Sequence, residues 1–170
     1  MALVNPNYKT AKNSFDQNCG ACSITYELRR RGYDVEVVSE SEWLKAGGSM
    51  QDIADCFKGS EIITLVDIKE KYNVAGTAGG LATYVTKDIL SHGEGARGNL
   101  GLAWKSGGGH SIAWEIENGK VVYRDCQTNE KIDFAEWAHS VDNINYIRTD
   151  NLEVTEECYQ YVRNRRSDKK

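Results

Sequence analysis

A chain of 170 residues, 40% hydrophobic and 27% charged with a single proline, can bury roughly 70% of its unfolded surface in one core, which excludes a disordered or fibrous protein. The balance of 21 basic against 25 acidic residues, net −4, predicts no general attraction to nucleic acid or to an anionic membrane. No run of 18 apolar residues occurs, and Met1 to Pro6 lacks the basic start and apolar stretch of a secretory signal, so the expectation is a single domain over 1–170 with no address of its own.

Residues 1–17 are polar and predict an irregular lead-in. Ala21, Ile24 and Leu28 then recur at helical spacing. Asp16 or Asn18 can cap that helix, and Gly32 stands where its C-terminus favours a left-handed residue, so a helix is predicted from about Cys19 to Arg31. Tyr33 to Val38 alternates as a half-buried strand does. Helices are expected over 49–57, 67–73 and 81–90, with the β-rich run Ile62 to Val66 between the first two.

The second half reads as sheet. Gly101 to Trp104, Ser111 to Ile116, Val121 to Arg124 and Asn143 to Arg148 are strand-like, and Asn118-Gly119 between two apolar-rich runs predicts a tight hairpin. A last helix near 156–163 and a frayed basic tail over 164–170 complete the order. Helices first and an antiparallel sheet afterwards make the expected class α+β.

Five cysteines, odd in number and unevenly spaced at 19, 22, 56, 126 and 158, do not form the even framework of a small secreted scaffold. A cysteine in the first turn of a helix is instead placed for chemistry, because a helix N-terminus and a neighbouring imidazolium both stabilise a thiolate. Cys19 and Cys22 both satisfy the first condition. Of the three histidines, His92 lies in a Gly-rich loop and His139 in the amphipathic stretch Phe134 to His139. His110 follows Gly107-Gly108-Gly109, glycines that allow close backbone approach and an open cleft. Across the hairpin, Asp125 ends the partner strand, where it can orient the imidazole.

Asn18-Cys19-Gly20-Ala21-Cys22, continued by Glu27 to Val35, resembles the opening motif of the papain-fold toxins described as glutamine deamidases. Gly109-His110-Ser111, Asn118 to Val121 and Asp125-Cys126-Gln127-Thr128 resemble their later segment. Asn5 to Tyr8 and Arg148 to Leu152 are similar to flanking segments of members found as C-terminal domains of phage-head-type proteins and polymorphic toxins. The resemblance runs from about residue 5 to 155. It implies a papain-like fold in which a helix carrying the nucleophile packs on an antiparallel sheet carrying His110 and Asp125.

It also implies hydrolysis of a glutamine carboxamide on a target protein through a thioester, with no metal or organic cofactor. Delivery within a larger protein, action in the cytoplasm of a target cell and a cognate immunity protein belong to the same implication. Cys126 departs from the family pattern, where glycine is expected, and reads as either packing or a redox partner. Cys19 is the expected nucleophile by its place next to the cap, while Cys-Gly-Ala-Cys also resembles the papain motif, in which the second cysteine, here Cys22, is used. Gln17, Asn18 and Gln127 are candidate oxyanion donors, with capping and turn roles as the alternative.

The same triad serves a cysteine protease or a transglutaminase, and an inactive papain-like phage module is the non-enzymatic alternative. Cys56 and Cys158 read as buried packing residues. Trp104 and Trp114 flank the approach to His110, so one of them is a candidate wall of the cleft. Arg29-Arg30-Arg31 reads mainly as a favourable charge arrangement at a helix C-terminus.

Overall fold

The computed structural model describes residues 3–8, 15, 17–46 and 48–165. In chain order these form α1 (Cys19–Arg30), β1 (Val35–Val37), α2 (Glu40–Ala46), α3 (Met50–Asp55), β2 (Ile63–Thr64), α4 (Leu65–Tyr72) and α5 (Ala78–Leu90). They continue with β3 (Arg97–Trp104), β4 (Gly109–Glu117), β5 (Lys120–Asp125), β6 (Glu130–Ile132), α6 (Phe134–Ala138), β7 (Val141–Arg148), a 3₁₀ helix (Glu156–Tyr161) and β8 (Val162–Asn164). The class is α+β.

A six-stranded antiparallel sheet, ordered β2-β7-β3-β4-β5-β6, is the platform, and β1 pairs with β8 in a separate two-stranded ribbon. Asn118 and Gly119 both take positive φ, at 53° and 71°, the turn that matches the twist of a two-residue hairpin. The Glu94 carboxylate accepts from both of their backbone N–H groups, at 2.7 and 2.9 Å. That hairpin sets the β4–β5 register, Ala113 opposite Arg124, on which the site depends.

Several boundaries differ from expectation for local reasons. The β-rich run 62–66 is cut short because Thr64 and Asp67 form a reciprocal capping box that starts α4 at Leu65. The segment expected as a last helix is 3₁₀ and then pairs as β8 with β1, so Asn164, expected in the tail, lies opposite Val35. Residues 166–170 of that tail lie outside the described residues, as does Asp16. In the lead-in, Val4, Asn5 and Phe15 are buried, so its described part is packed although it forms no helix or strand.

Each face of the sheet carries its own core. On one side α4, α5 and α6 cover Leu100, Leu102, Ile112, Trp114, Ile144 and Tyr146. On the other, α1 packs on β4, with Ile24, Leu28, Ile53 and Phe57 buried against Ala113 and Ile147. The three consecutive arginines that end α1 fasten this layer. Arg29 donates to the carbonyls of Val35 and Leu3, Arg30 pairs with Glu115, and Arg31 donates to Glu27 and to the carbonyls of Leu152 and Thr149.

Glu27 is buried and also accepts two bonds from Arg97, at 3.0 and 3.1 Å. One carboxylate thus joins the helix to β3. Removing it strands two guanidinium groups in a desolvated site, so Glu27→Ala is expected to destabilise the domain by about 3–5 kcal/mol in urea unfolding; a loss below about 1 kcal/mol would show that the cluster does not hold α1.

Candidate active site

Cys19 is the first residue of α1, at the end where the helix dipole is positive. It is half-buried and lines a cleft of about 310 Å³. His110 lines the same cleft from the start of β4. Two of the three preceding glycines are turn residues rather than open space: Gly107 and Gly108 take φ of 94° and 76° and close the β3–β4 loop through Trp104, while Gly109 is already in the strand. Gly109 also sits so close to the Leu102 carbonyl that a side chain there would meet it at 2.9 Å.

Extending the β4–β5 register puts Asp125 level with Ile112, one diagonal step from His110, within reach across a sheet. His110 Nε2 lies 3.1 Å from Asp125 Oδ2. The Cys19 sulfur lies on the same cleft, close enough to the imidazole to favour its charged form. With Nε2 committed to the carboxylate, Nδ1 is the nitrogen left for the thiol. A thiol, an imidazole and a carboxylate are therefore brought together from three elements, α1, β4 and β5.

Burial works against the imidazolium, but the Asp125 carboxylate and the Cys19 sulfur outweigh it and push the His110 pKa from 6.5 up to about 9. Burial would likewise raise the Asp125 carboxyl, yet His110 and the backbone N–H groups of Gln127 and Thr128 hold it below its usual range. Both shifts favour an ion pair. Because the folded value of His110 lies above its ordinary one, the stabilisation it lends is complete below about pH 6.5 and is lost as the pH rises through 9.

Two indoles shelter this pair. Trp104 lies stacked with His110 at 6.4 Å between ring centroids and Trp137 is tilted against it at 5.7 Å, while the two tryptophans meet edge-on at 5.5 Å. Of the two expected candidates, Trp104 is the wall. Trp114 is in the core, stacked with His92 and donating to the Asn99 carbonyl. Trp137 had no signal beyond its amphipathic stretch. Trp43 of α2, also unforeseen, lines the cleft and presses on Gly20 where a side chain would collide with it.

Cys22 is placed differently from Cys19. It is fully buried, its thiol directed at Asn18 Oδ1 at 3.4 Å, and burial pushes it well above its ordinary pKa. Cys126 is buried in the same core and is pushed up to about 12, chiefly by burial.

The three expected oxyanion donors also separate. Gln17 is exposed and lines the cleft. Asn18 and Gln127 are buried and committed elsewhere: Asn18 Nδ2 donates to the Val38 carbonyl at 2.7 Å, and its Oδ1 accepts from Gln127 Nε2 at 3.2 Å and from Asn5 Nδ2 at 3.1 Å. Although Asn18 occupies the N-cap of α1, its side chain makes no capping bond. Asn18 and Gln127 are thus held in the core and do not line the cleft. His92 bonds Tyr146 at 3.2 Å, and His139 lies in a separate groove. Among the described residues, no group of three or more His, Cys, Asp or Glu side chains is arranged to hold a metal ion, and no helix is long and apolar enough to cross a membrane.

No family model matches the chain, and no curated protein matches it. Among solved structures, the Pseudomonas avirulence protein AvrPphB aligns with 87% of this chain and 98% of its own, at 13% identity and a TM-score of 0.41. A likeness that distant fixes neither a family nor an activity.

The electrostatics of the site can be read directly from the imidazole. In Asp125→Asn the carboxylate that supports the charge is gone while burial still opposes it and only the Cys19 sulfur still favours it, so the His110 pKa, followed by NMR titration, is expected to fall from about 9. A value that stayed near 9 would mean that Asp125 does not set it.

Proposed function

We propose that the domain is a cysteine-dependent amidohydrolase of the papain-like type, acting as an effector that deamidates a glutamine side chain of a target protein. The observation that carries this reading is the meeting of Cys19 and His110 in one cleft, with Asp125 behind them on the imidazole at 3.1 Å and the thiol at a helix N-terminus. A cleft of about 310 Å³ is of a size to admit one projecting side chain together with water.

The Cys19 thiolate attacks the carboxamide carbon and His110 gives its proton to the departing ammonia, leaving a thioester on Cys19. His110, now neutral, takes a proton from water, whose oxygen attacks the thioester and releases glutamate and the free thiol. Asp125 holds the imidazole throughout. The Cys19 backbone N–H, at the helix N-terminus, and the Gln17 side chain, on the cleft, are the donors this reading assigns to the developing oxyanion. The sum is carboxamide plus water giving carboxylate plus ammonium, with the thiol's proton given up as the thiolate is restored. A target protein bearing the glutamine and a cognate immunity protein are the partners this reading brings with it.

Incubation with candidate proteins or lysate is expected to give glutamine-to-glutamate changes of about +1 Da, with matching ammonia release. Cys19→Ser and His110→Ala should abolish them, Asp125→Asn should lower the rate by about 10²–10⁴-fold, and Cys22→Ser should leave measurable turnover. Peptide-bond cleavage in place of mass gain would replace deamidation by proteolysis on the same triad, and full activity in His110→Ala would dismiss the triad itself.

A further inference from the structure

Cys56 and Cys158 are fully buried and lie 102 residues apart in the chain, yet the structure sets them side by side. Cys56 caps the C-terminal end of α3 and Cys158 sits in the 3₁₀ helix. The Cys158 sulfur is 3.4 Å from the Cys56 carbonyl oxygen, and the Cys56 sulfur is 3.4 Å from the Asp52 carbonyl oxygen.

The backbone around the pair is clamped. Thr155 donates from its N–H to the Cys56 carbonyl at 2.9 Å and from its hydroxyl to the Asp55 carbonyl at 2.6 Å; Lys58 N–H donates to the Glu153 carbonyl at 2.9 Å, and Phe57 bridges Val154. Two cysteines whose backbones are held together by a frame this well bonded, with one sulfur against the other's carbonyl, can be joined by side-chain rotation and little backbone movement. The proposed reaction uses neither of them.

We propose that Cys56 and Cys158 are a modification site: a dithiol that closes to a disulfide in exchange with a small-molecule disulfide of the glutathione type. One thiolate attacks a sulfur of the oxidant and expels a glutathione thiolate. The second cysteine thiolate then attacks the mixed disulfide and expels the other glutathione. Two protons leave the cysteines and two electrons pass to the oxidant.

Exchange is slow, because the neighbouring Cys158, burial, and the nearby Asp55 and Glu157 all hold the Cys56 thiol above its ordinary range, and both sulfurs must be uncovered first. Once formed, the bond closes a long loop and ties α3 to the segment bearing Tyr161. Tyr161 packs edge-on against Trp43 at 4.9 Å, and Trp43 with Met50 and Ile53 of α3 lines the cleft. The cross-link therefore braces the wall opposite the sheet without touching the nucleophile.

The test holds the native protein for hours with oxidised glutathione, then measures intact mass, peptide map and melting temperature. The expected result is a loss of about 2 Da, a linked pair of peptides containing Cys56 and Cys158, and a melting temperature higher by on the order of 10 °C that returns to its starting value with reductant. Cys19 should remain open to iodoacetamide in the oxidised protein, and Cys158→Ser should show neither the link nor the shift. A bond between Cys19 and Cys22, glutathione adducts alone, no reaction, or a linked protein with an unchanged melting temperature would each overturn the proposal. All of these readings are independent of whether glutamine is deamidated.

Discussion

The site is held through one buried amide, that of Asn18. Its carbonyl oxygen gathers donors from Asn5 in the lead-in, Gln127 after β5 and the Cys22 thiol one turn along the helix, and its nitrogen donates to the Val38 carbonyl after β1. Gln127 in turn donates its backbone N–H to Asp125 Oδ1 at 2.8 Å. A short chain of bonds therefore runs from Asn18, the residue before Cys19, to Asp125. In a desolvated setting every donor left without its partner costs about 1–3 kcal/mol, so the start of α1 and the end of β5 are fixed relative to each other as a unit.

The remaining constraints converge on the same helix. Glu27 and the arginines fasten its far end to β3 and to the loop after β7, while Ser111 donates to Ser23 across the helix–sheet contact at 3.1 Å. Trp43 leaves no room for a side chain at position 20, so Gly20 is what lets α2 close over the first turn of α1. Rigid placement of this kind is what a thiol–imidazole pair requires, since both sets of atoms must stay within hydrogen-bond reach before any substrate arrives. A second buried cluster on the opposite face, in which Asp88 accepts from Lys71, Tyr72 and Tyr146, ties α4, α5 and β7 together and leaves the cleft side untouched.

What the sequence carries locally was legible. Asn118-Gly119 announces its hairpin because two consecutive left-handed residues are rare elsewhere, Gly32 ends α1 with φ of 91°, and the helical spacing of Ala21, Ile24 and Leu28 marks the buried stripe. From those the meeting of Cys19, His110 and Asp125 could be laid out. What depends on distant partners was not legible. The arginines look like a charge run until Glu115, Thr149 and Leu152 are brought to them. Asn18 looks like a helix cap, and its side chain turns away because Val38, Gln127 and Asn5 offer buried partners instead. Trp104 and Trp114 could not be told apart from their spacing, since only the fold places one at the strand end beside His110 and the other in the core. The pairing of β8 with β1 likewise joins the two ends of the domain, which no local pattern encodes.

The central claim is that Cys19 and His110 act as one reactive unit. It is tested most directly with a peptide whose glutamine carboxamide is replaced by a chloromethyl ketone, following its covalent attachment by intact mass and peptide mapping. The account predicts a single bond, at Cys19, forming at near-neutral pH and slowed by about 10²-fold or more in His110→Ala. Attachment at Cys22, or an equal rate at Cys19 with and without His110, would contradict it.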